Sequence, residues 1–368
     1  MRVALVHDFL VQFGGAERVL EAFCSLFPDA PIFTLFYDEA RTRGRFRGRE
    51  IRTSHLNRLP VVGPRIGVNH HLFFWSFPGA IERLDLSGFD LVLSSSSSYA
   101  KGVRVPAGVP HVCYCHTPTR YLWEDVRKYV RGWLASAPAR LLGESLFVIM
   151  RRWDYDAAQR PARIIANSRF IADRIRRFYG RGAQAVIHPP VDTDRYSPNG
   201  QPSEREQAPF LMVGRMLPYK RFDLGIEACN RLGLPLVVVG VGREADRLKA
   251  SAGPTVHFRG WVSEAELPNV YRSARALIFP QVEDFGLVAA EAVACGTPVI
   301  AFRRGGALDI VEEGRNGLLF EAQDVSALTE ALRRFNGMAF EPREVAMTAQ
   351  RFNACRFKEQ ILEALRWP

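Results

Sequence analysis

A chain of 368 residues with 47% apolar residues predicts two domains with ordinary globular cores, and its net charge is +10. No apolar segment approaches the ~18 to 20 residues of a membrane span, and His7 and Asp8 interrupt the apolar start before a secretory leader forms. The six cysteines show only a Cys-x-Cys spacing, at Cys113 and Cys115, which suits neither zinc nor a disulfide framework, so a reducing cytosol is expected.

The first predicted strand lies near residues 2–6 and ends before a glycine pair. Gly14 and Gly15 lead into a helix whose apolar positions begin at Val19. Two glycines allow the backbone to come close to a ligand. The pattern is not GxGxxG, which argues against a dinucleotide-dependent dehydrogenase. Glycines that only cap the helix are the alternative.

Positive charge is concentrated in the amino-terminal half. Residues 1–187 carry 27 Lys and Arg against 16 Asp and Glu, whereas the rest carries 22 against 23. The densest part, residues 41–65, has eight arginines against Glu50 alone, and residues 70–77 add histidines and aromatic side chains. Basic residues beside exposed aromatics suit an anionic bilayer. A solvated loop or nucleic acid are alternatives, but no nucleic-acid module accompanies the patch.

Alternating strands and helices continue through this half. Further strands are predicted near residues 31–36, 90–94, 111–115, 163–167 and 185–188. The serine run at residues 94–98 is interpreted as a loop at the sheet edge.

The strand at residues 111–115 ends in a polar and aromatic cluster. His116 comes first, and Arg120, Tyr121 and Trp123 follow a proline-bent turn. Chemistry in open α/β sheets gathers at the carboxyl ends of strands, so the cluster is a candidate site. Core packing is the alternative for the two aromatic residues.

A proline-rich segment separates the halves, and the second half restarts with a strand at residues 210–213. This strand runs into Gly214-Arg215, and Lys220 follows five residues later. The chain has only five lysines against 44 arginines, so a lysine here is informative. Two cations at the end of one strand suit a diphosphate. A solvated basic turn is the alternative.

The most informative stretch follows the strand around residue 276. Glu283 and Glu291 bracket Phe285-Gly286, and a helix is predicted to open near Gly286 and to close at Gly296. The helix start presents free N–H groups and the positive end of the macrodipole, which suits a phosphate. Glutamates that only complement the helix dipole are the alternative.

These motifs resemble the nucleotide-sugar site of retaining glycosyltransferases of family 4. The resemblance implies an α/β GT-B fold, with two Rossmann-like, doubly wound domains facing each other across a cleft. The expected domains are residues 1–190 on the acceptor side, a linker at 191–208, a nucleotide-sugar domain at 209–350, and a helix at 351–368 that crosses back to the first domain.

The resemblance also assigns roles in the second half. Arg215 and Lys220 neutralise the donor diphosphate, Glu283 meets the sugar, and Glu291 meets the ribose. The rest of the donor motif is Asp284, Phe285, Gly286 and Leu287.

In the first half, Gly14 and Gly15 are expected to approach the donor, and His116 is expected to contact the donor sugar as a catalytic residue. The strings around His7 and His116 resemble the O-antigen mannosyltransferase branch. Arg120, Tyr121 and Trp123 then face the acceptor, since aromatic planes stack on sugars and Arg forks to phosphate.

The predicted function is a retaining transfer of mannose from GDP-mannose to a lipid-linked or polysaccharide acceptor in cell-surface glycan synthesis, lipopolysaccharide included. The resemblance favours a peripheral position on the inner face of the cytoplasmic membrane. No metal, other cofactor or nucleic acid is expected. A GT-B nucleotide-sugar epimerase and a non-catalytic sugar-nucleotide-binding protein are the alternatives, and the fold alone does not separate them.

Overall fold

The computed structural model describes residues 1–59, 70–124, 137–198 and 207–366, with backbone alone for 70–72 and 137–144. The chain divides into two compact units. The first comprises Met1–His188 together with Lys358–Pro368, and the second comprises Pro189–Phe357. Of the predicted linker, residues 199–206 lie outside the described part of the chain, as does Trp367.

A parallel sheet forms the centre of the first unit. Its described strands follow the order β3-β2-β1-β4-β5-β6-β7, which is the doubly wound order that places ligand sites at the carboxyl edge. Its central strands are buried on both faces, as their continuous apolar runs predict. The strands are β1 Val3–His7, β2 Ile32–Thr34, β3 Ile51–Thr53, β4 Leu91–Ser96, β5 His111–Cys115, β6 Arg163–Ala166 and β7 Ala185–Val186.

Helices connect these strands. They are α1 Gly15–Leu26, α2 Phe77–Glu82, α3 Arg120–Trp123, α4 Ala137–Gln159 and α5 Arg169–Tyr179, with 3₁₀ turns at His55–Arg58, His70–Ser76 and Ala100–Gly102. No helix in the described ranges is long and apolar enough to span a bilayer.

The second unit repeats the architecture. Its sheet follows the order β10-β9-β8-β11-β12-β13, and all its described strand pairs are parallel. The strands are β8 Phe210–Val213, β9 Leu236–Val239, β10 Val256–Gly260, β11 Leu277–Phe279, β12 Val299–Phe302 and β13 Gly317–Phe320.

Two hydrophobic clusters cover the faces of this second sheet. The helices are α6 Phe222–Leu232, α7 Ala245–Ala250, α8 Leu267–Arg272, α9 Leu287–Ala294, α10 Ala307–Ile310, α11 Val325–Asn336, α12 Pro342–Thr348 and α13 Ala354–Leu365, with 3₁₀ turns at Pro218–Lys220 and Ala349–Phe352. From Lys358 onward, α13 belongs to the first unit, where Arg163 donates to the carbonyls of Ala364 at 2.8 Å and Arg366 at 2.7 Å.

The serine run is not a loop throughout. Strand β4 continues through Ser96, because Ser94 pairs in register with Cys113 and Ser95 with Tyr114. Strand β3, which the sequence does not predict, pairs with β2 at the edge of the sheet. Its short length and its position within an arginine-rich segment hide it from a pattern search.

The basic stretch carries less unpaired positive charge than its sequence suggests, because acidic side chains form ion pairs with several of its arginines. The pairs are Arg41 with Asp38, Arg45 with Glu21, Arg47 with Glu39 and Arg52 with Glu50. Arg49 donates to the carbonyl of Cys24 at 2.6 Å near the end of α1, which is a capping role. Arg65 lies outside the described residues.

The aromatic run after this stretch is only partly exposed, which corrects the prediction of an exposed aromatic surface. Phe74 and Phe77 are buried in the first unit's core, and Phe73 is half-buried. Trp75 alone among the described aromatics of this run is more than half exposed, at 54%.

Candidate functional site

In the second unit, the loops after β8 and β9 meet through their backbones. Gly214 N–H donates to Val239 O at 3.0 Å, and Met216 N–H donates to Val241 O at 2.9 Å. A Cβ at Gly240 would lie 1.9 Å from Gly214 O, and its φ of 132° also favours glycine. This contact holds the Gly-Arg turn at the carboxyl edge of the sheet.

The loops after β11 and β12 meet in the same way. Gly306 N–H donates to Glu283 O at 2.8 Å. A Cβ at Gly306 would lie 2.2 Å from Phe285 O, and one at Gly305 would lie 2.7 Å from Glu283 O. Sequence reasoning missed this glycine pair, although two glycines three residues after the end of a predicted strand were a usable signal. These two glycines let the loop after β12 pack closely against the loop that carries Glu283.

Lys220 and Glu283, which the sequence predicted on separate loops, form an ion pair. The side chains are 12% and 17% exposed, so water screens the pair only in part. Lys220 also folds back toward the glycine turn, since a Cβ at Gly214 would lie 3.9 Å from its Nζ. Arg215 is exposed, and no acid pairs with it among the described residues. One cation of the predicted diphosphate site is therefore paired and the other faces solvent.

Helix α9 begins directly after this loop. Its N-cap, Gly286, has a φ of 105°, a conformation that favours glycine. Within the described structure, the N–H groups of Leu287 and Val288 have no acceptor, as expected for a first helical turn. Phe285 is buried while Asp284 is half-buried. The helix start thus offers amide donors and the positive dipole end directly after the loop that carries Glu283, the partner of Lys220.

Glu291 lies farther along α9 and is only 2% exposed. Its carboxylate accepts a hydrogen bond from the Tyr271 hydroxyl at 3.0 Å. Burial, together with the negative charge of Glu291, raises the pKa of Tyr271 well above its usual value. The phenol therefore stays a donor, and it fixes the orientation of the carboxylate.

In the first unit, the predicted glycine turn is a helix cap. Gly14 has an extended φ of −147°, and Gly15 is the first residue of α1 and is exposed. Gly14 N–H donates to Glu17 Oε2 at 2.8 Å. Glu17 is buried, and sequence reasoning did not assign it a role.

His116 follows β5 and is 7% exposed. Its Nε2 lies 2.8 Å from Ser95 Oγ, and its carbonyl accepts from Asn167 Nδ2 at 3.0 Å. Burial, with a smaller contribution from nearby His7, lowers the pKa of His116 to about 3. The ring is therefore neutral at physiological pH.

The three predicted acceptor residues lie in and around α3. Tyr121 is half-buried and packs against the core, and its hydroxyl bonds to the Tyr99 hydroxyl. Trp123 donates from its indole nitrogen to Asp154 at 2.7 Å. Arg120 is half-buried at the start of the helix. The structure uses the two aromatic residues for packing, and their contact with an acceptor stays a prediction.

In the described part of the chain, no group of three or more His, Cys, Asp or Glu side chains is arranged to hold a metal ion.

Both halves match known glycosyltransferases. Residues 13–195 match the family model described as Glycosyltransferase Family 4, and residues 197–346 match the one described as Glycosyl transferases group 1. The chain is 35% identical over 217 residues to D-inositol 3-phosphate glycosyltransferase 2 of Catenulispora acidiphila, which covers 50% of this chain and 48% of the relative. The chain spans about half the length of the curated relatives that it matches. The mannosyltransferase branch stays a prediction.

Solved structures show the fold. Anabaena HepE in complex with UDP has a TM-score of 0.69 at 20% identity, covering 99% of both chains. Sucrose-phosphate synthase from Thermosynechococcus elongatus has a TM-score of 0.72 at 19% identity, covering 99% of this chain and 98% of that one. The predicted two-domain GT-B fold is confirmed. With the two family models matched one after the other along most of its length, the chain belongs to the family 4 glycosyltransferases.

Proposed function

We propose that the protein is a retaining glycosyltransferase that takes its sugar from a nucleotide-sugar donor. The observation that carries the proposal is the Lys220–Glu283 ion pair, whose glutamate lies on the loop that leads into the amide groups at the start of α9. Cationic and amide donors at one sheet edge are what a diphosphate leaving group requires.

The ion pair gives each partner a separate role. When a diphosphate arrives, its oxygens compete with Glu283 for the Lys220 ammonium. Lys220 and Arg215 then oppose the negative charge that grows on the leaving group, and this selective stabilisation of the transition state raises the rate. Glu283, released from Lys220, becomes an acceptor for a sugar hydroxyl.

The stereochemical outcome tests the retaining character. We expect an α-configured donor to give an α-configured product, because the leaving phosphate helps to deprotonate an acceptor that attacks from the same face. The anomeric coupling constant of the product, measured by NMR at early time points, checks this outcome. An inverted product would refute retention.

GDP-mannose is the proposed donor, on the resemblance to the O-antigen mannosyltransferase branch. The matched HepE structure contains UDP, so UDP-sugars are the competing class. Thermal unfolding with GDP, UDP or ADP separates the classes, since a nucleotide at 100 times its Kd stabilises the protein by ~2.7 kcal/mol. We expect GDP to give the largest shift, and a larger shift with UDP would overturn the assignment.

The proposed acceptor is a lipid-linked or polysaccharide sugar. The matched relatives are named for D-inositol 3-phosphate, a soluble phosphorylated polyol, which is therefore the acceptor to compare. Radiolabelled donor incubated with a membrane extract or with inositol 3-phosphate distinguishes them. Label in the lipid fraction supports the proposal.

Donor hydrolysis or epimer formation without an acceptor would favour the epimerase alternative, and tight donor binding without turnover would favour a binding protein.

Association with an anionic membrane is also proposed, through exposed apolar side chains that the structure shows near the predicted aromatic run. Phe74 and Phe147 pack in the core with ring centroids 5.1 Å apart. Their chain neighbours Trp75, Val148 and Ile149 are 54%, 63% and 65% exposed. We propose that these side chains of two elements form one apolar patch. Such a patch suits partial insertion into a bilayer.

Vesicle sedimentation tests this patch. We expect Trp75→Ser combined with Ile149→Ser to lower binding to anionic vesicles. Met347→Ser, which changes a side chain 65% exposed in the second unit, is the matched control. Equal binding by all three proteins would show that the patch does not contact lipid.

A further inference from the structure

We propose that Glu17, His7 and Ser95 are positioning residues that set the tautomer of His116, so that its Nδ1 accepts a hydrogen bond from a ligand hydroxyl. The identity of that ligand as the donor sugar rests on the proposed function, whereas the tautomer does not.

The four side chains form a buried polar network on one face of the first sheet. His7 and Ser95 are register partners on β1 and β4, and His7 Nδ1 lies 3.0 Å from Ser95 Oγ. The same hydroxyl lies 2.8 Å from His116 Nε2. On the other side of His7, Nε2 lies 3.7 Å from Glu17 Oε1. All four side chains are less than 10% exposed, so their mutual contacts are shielded from water.

The partners of each atom determine where the protons lie. In a neutral His7 ring, the negative charge of the Glu17 carboxylate 3.7 Å away favours the proton on Nε2, the nitrogen that faces it. His7 Nδ1 is then an acceptor, and the Ser95 hydroxyl donates to it. A hydroxyl has one proton, so toward His116 it accepts, and His116 Nε2 is the donor. The neutral His116 ring therefore keeps an unprotonated Nδ1, which bonds to no group in the described part of the chain.

This polar network also includes the backbone of the glycine turn. The second oxygen of Glu17 accepts the N–H of Gly14 at 2.8 Å. The carboxylate is therefore held from two sides, by the backbone at the start of α1 and by His7. The contact with Gly14 limits the movement of the Glu17 carboxylate and thereby maintains the positions of the protons in the network.

A matched serine on the same strand provides the control. Ser94 Oγ lies 2.8 Å from His111 Nε2, on the opposite face of the sheet. Ser94→Ala removes one buried serine–histidine hydrogen bond from β4, whereas Ser95→Ala removes two, to His7 and to His116. Only Ser95 contacts His116.

Two-dimensional ¹⁵N–¹H NMR of histidine-labelled protein reads the tautomer without turnover, and a His116→Asn sample identifies the resonances. We expect His116 to be protonated at Nε2 in the wild type and in Ser94→Ala, and to be a mixture of both tautomers in Ser95→Ala. Protonation of wild-type His116 at Nδ1, or an unchanged tautomer in Ser95→Ala, would overturn the proposal.

Steady-state kinetics test whether the tautomer of His116 affects the proposed reaction. We expect Ser95→Ala to lower kcat by about tenfold, the effect of one misdirected hydrogen bond, and Ser94→Ala to keep wild-type kcat. Equal losses of kcat in both variants would overturn the positioning role. If the wild type transfers no sugar from any donor, the proposed function fails, and the NMR result still decides the tautomer.

Discussion

Lys220 has a partner within the protein before any ligand arrives. Its ammonium contacts Glu283, and both side chains are mostly buried. An ammonium is a compact point charge that changes partner easily, unlike a guanidinium that forks to one carboxylate. This property gives a physical reason for a lysine here in a chain that otherwise uses arginine.

Replacement of either cation is expected to slow turnover. Lys220→Ala and Arg215→Ala should each lower kcat by roughly two orders of magnitude, because they oppose charge that grows in the transition state. Steady-state kinetics with saturating donor measure the effect. Lys249→Ala, an exposed lysine of the same unit, is the control and should retain full activity. Near-normal rates in both site variants would remove these residues from the mechanism.

The two glutamates are expected to separate binding from turnover. Glu291→Gln should weaken nucleoside diphosphate binding by about tenfold, because the carboxylate that Tyr271 orients loses its charge. Glu283→Gln should lower kcat and change nucleotide affinity by less than about threefold, because Lys220 stays available to the phosphates. Isothermal titration calorimetry and kinetics on both variants check this. Equal losses of affinity would mean that the two roles are misassigned.

At the level of elements, one buried acid connects the loop after β5 to the helices around it. Asp154 of α4 accepts from Lys101 at 2.6 Å, from Thr119 at 2.7 Å, and from Trp123 and Tyr179. Asp154 and Lys101 are 0% and 1% exposed. Four donors satisfy this buried charge, and they fix the segment that starts three residues after His116.

Loss of this charge is expected to destabilise the first unit. Asp154→Asn should lower its free energy of unfolding by ~3 to 5 kcal/mol, since it leaves the Lys101 charge buried without a counter-ion. Urea unfolding measures this loss. Asp156→Asn on the same helix breaks an exposed pair with Arg152 and should cost less than ~1 kcal/mol. A similar small effect in both variants would show that Lys101 finds another partner.

At the scale of the whole molecule, the charge asymmetry is partly balanced where the structure describes the basic stretch. Four arginines of residues 41–52 pair with acids, of which Asp38, Glu39 and Glu50 are close in sequence and Glu21 belongs to α1. An ion pair between exposed side chains contributes only ~0 to 1 kcal/mol to stability, but it reduces the local excess of positive charge.

Transfer is expected to proceed without a divalent metal. Arg215, Lys220 and the start of α9 already supply positive charge to a diphosphate, so activity in EDTA should equal activity in buffer alone. A radiometric transfer assay with and without chelator measures this. The same assay with added manganese is the control, and complete loss in EDTA followed by recovery with manganese would demonstrate a metal requirement.

Local patterns predicted the strands well where an apolar run was long. Strand β5 has the predicted bounds, and β8 and β12 begin within a residue of the predicted positions. The predicted positions of Arg215, Lys220 and Glu283 after strands follow from the same patterns. Strand β3 and the end of β4 were not predicted, because a strand of three residues and a serine run carry little apolar signal.

The sequence by itself determined which residues follow each strand, because apolar runs and glycines are local features. It thereby predicted the alternating sheets and the cations and acids of the donor loops. Only the tertiary structure decided which of these groups are partners. The contact of Lys220 with Glu283, of Glu17 with His7, and of Asp154 with Lys101 depends on the order of strands in a sheet and on helix packing. A parallel sheet brings together side chains that lie far apart along the chain, and no local pattern encodes that proximity.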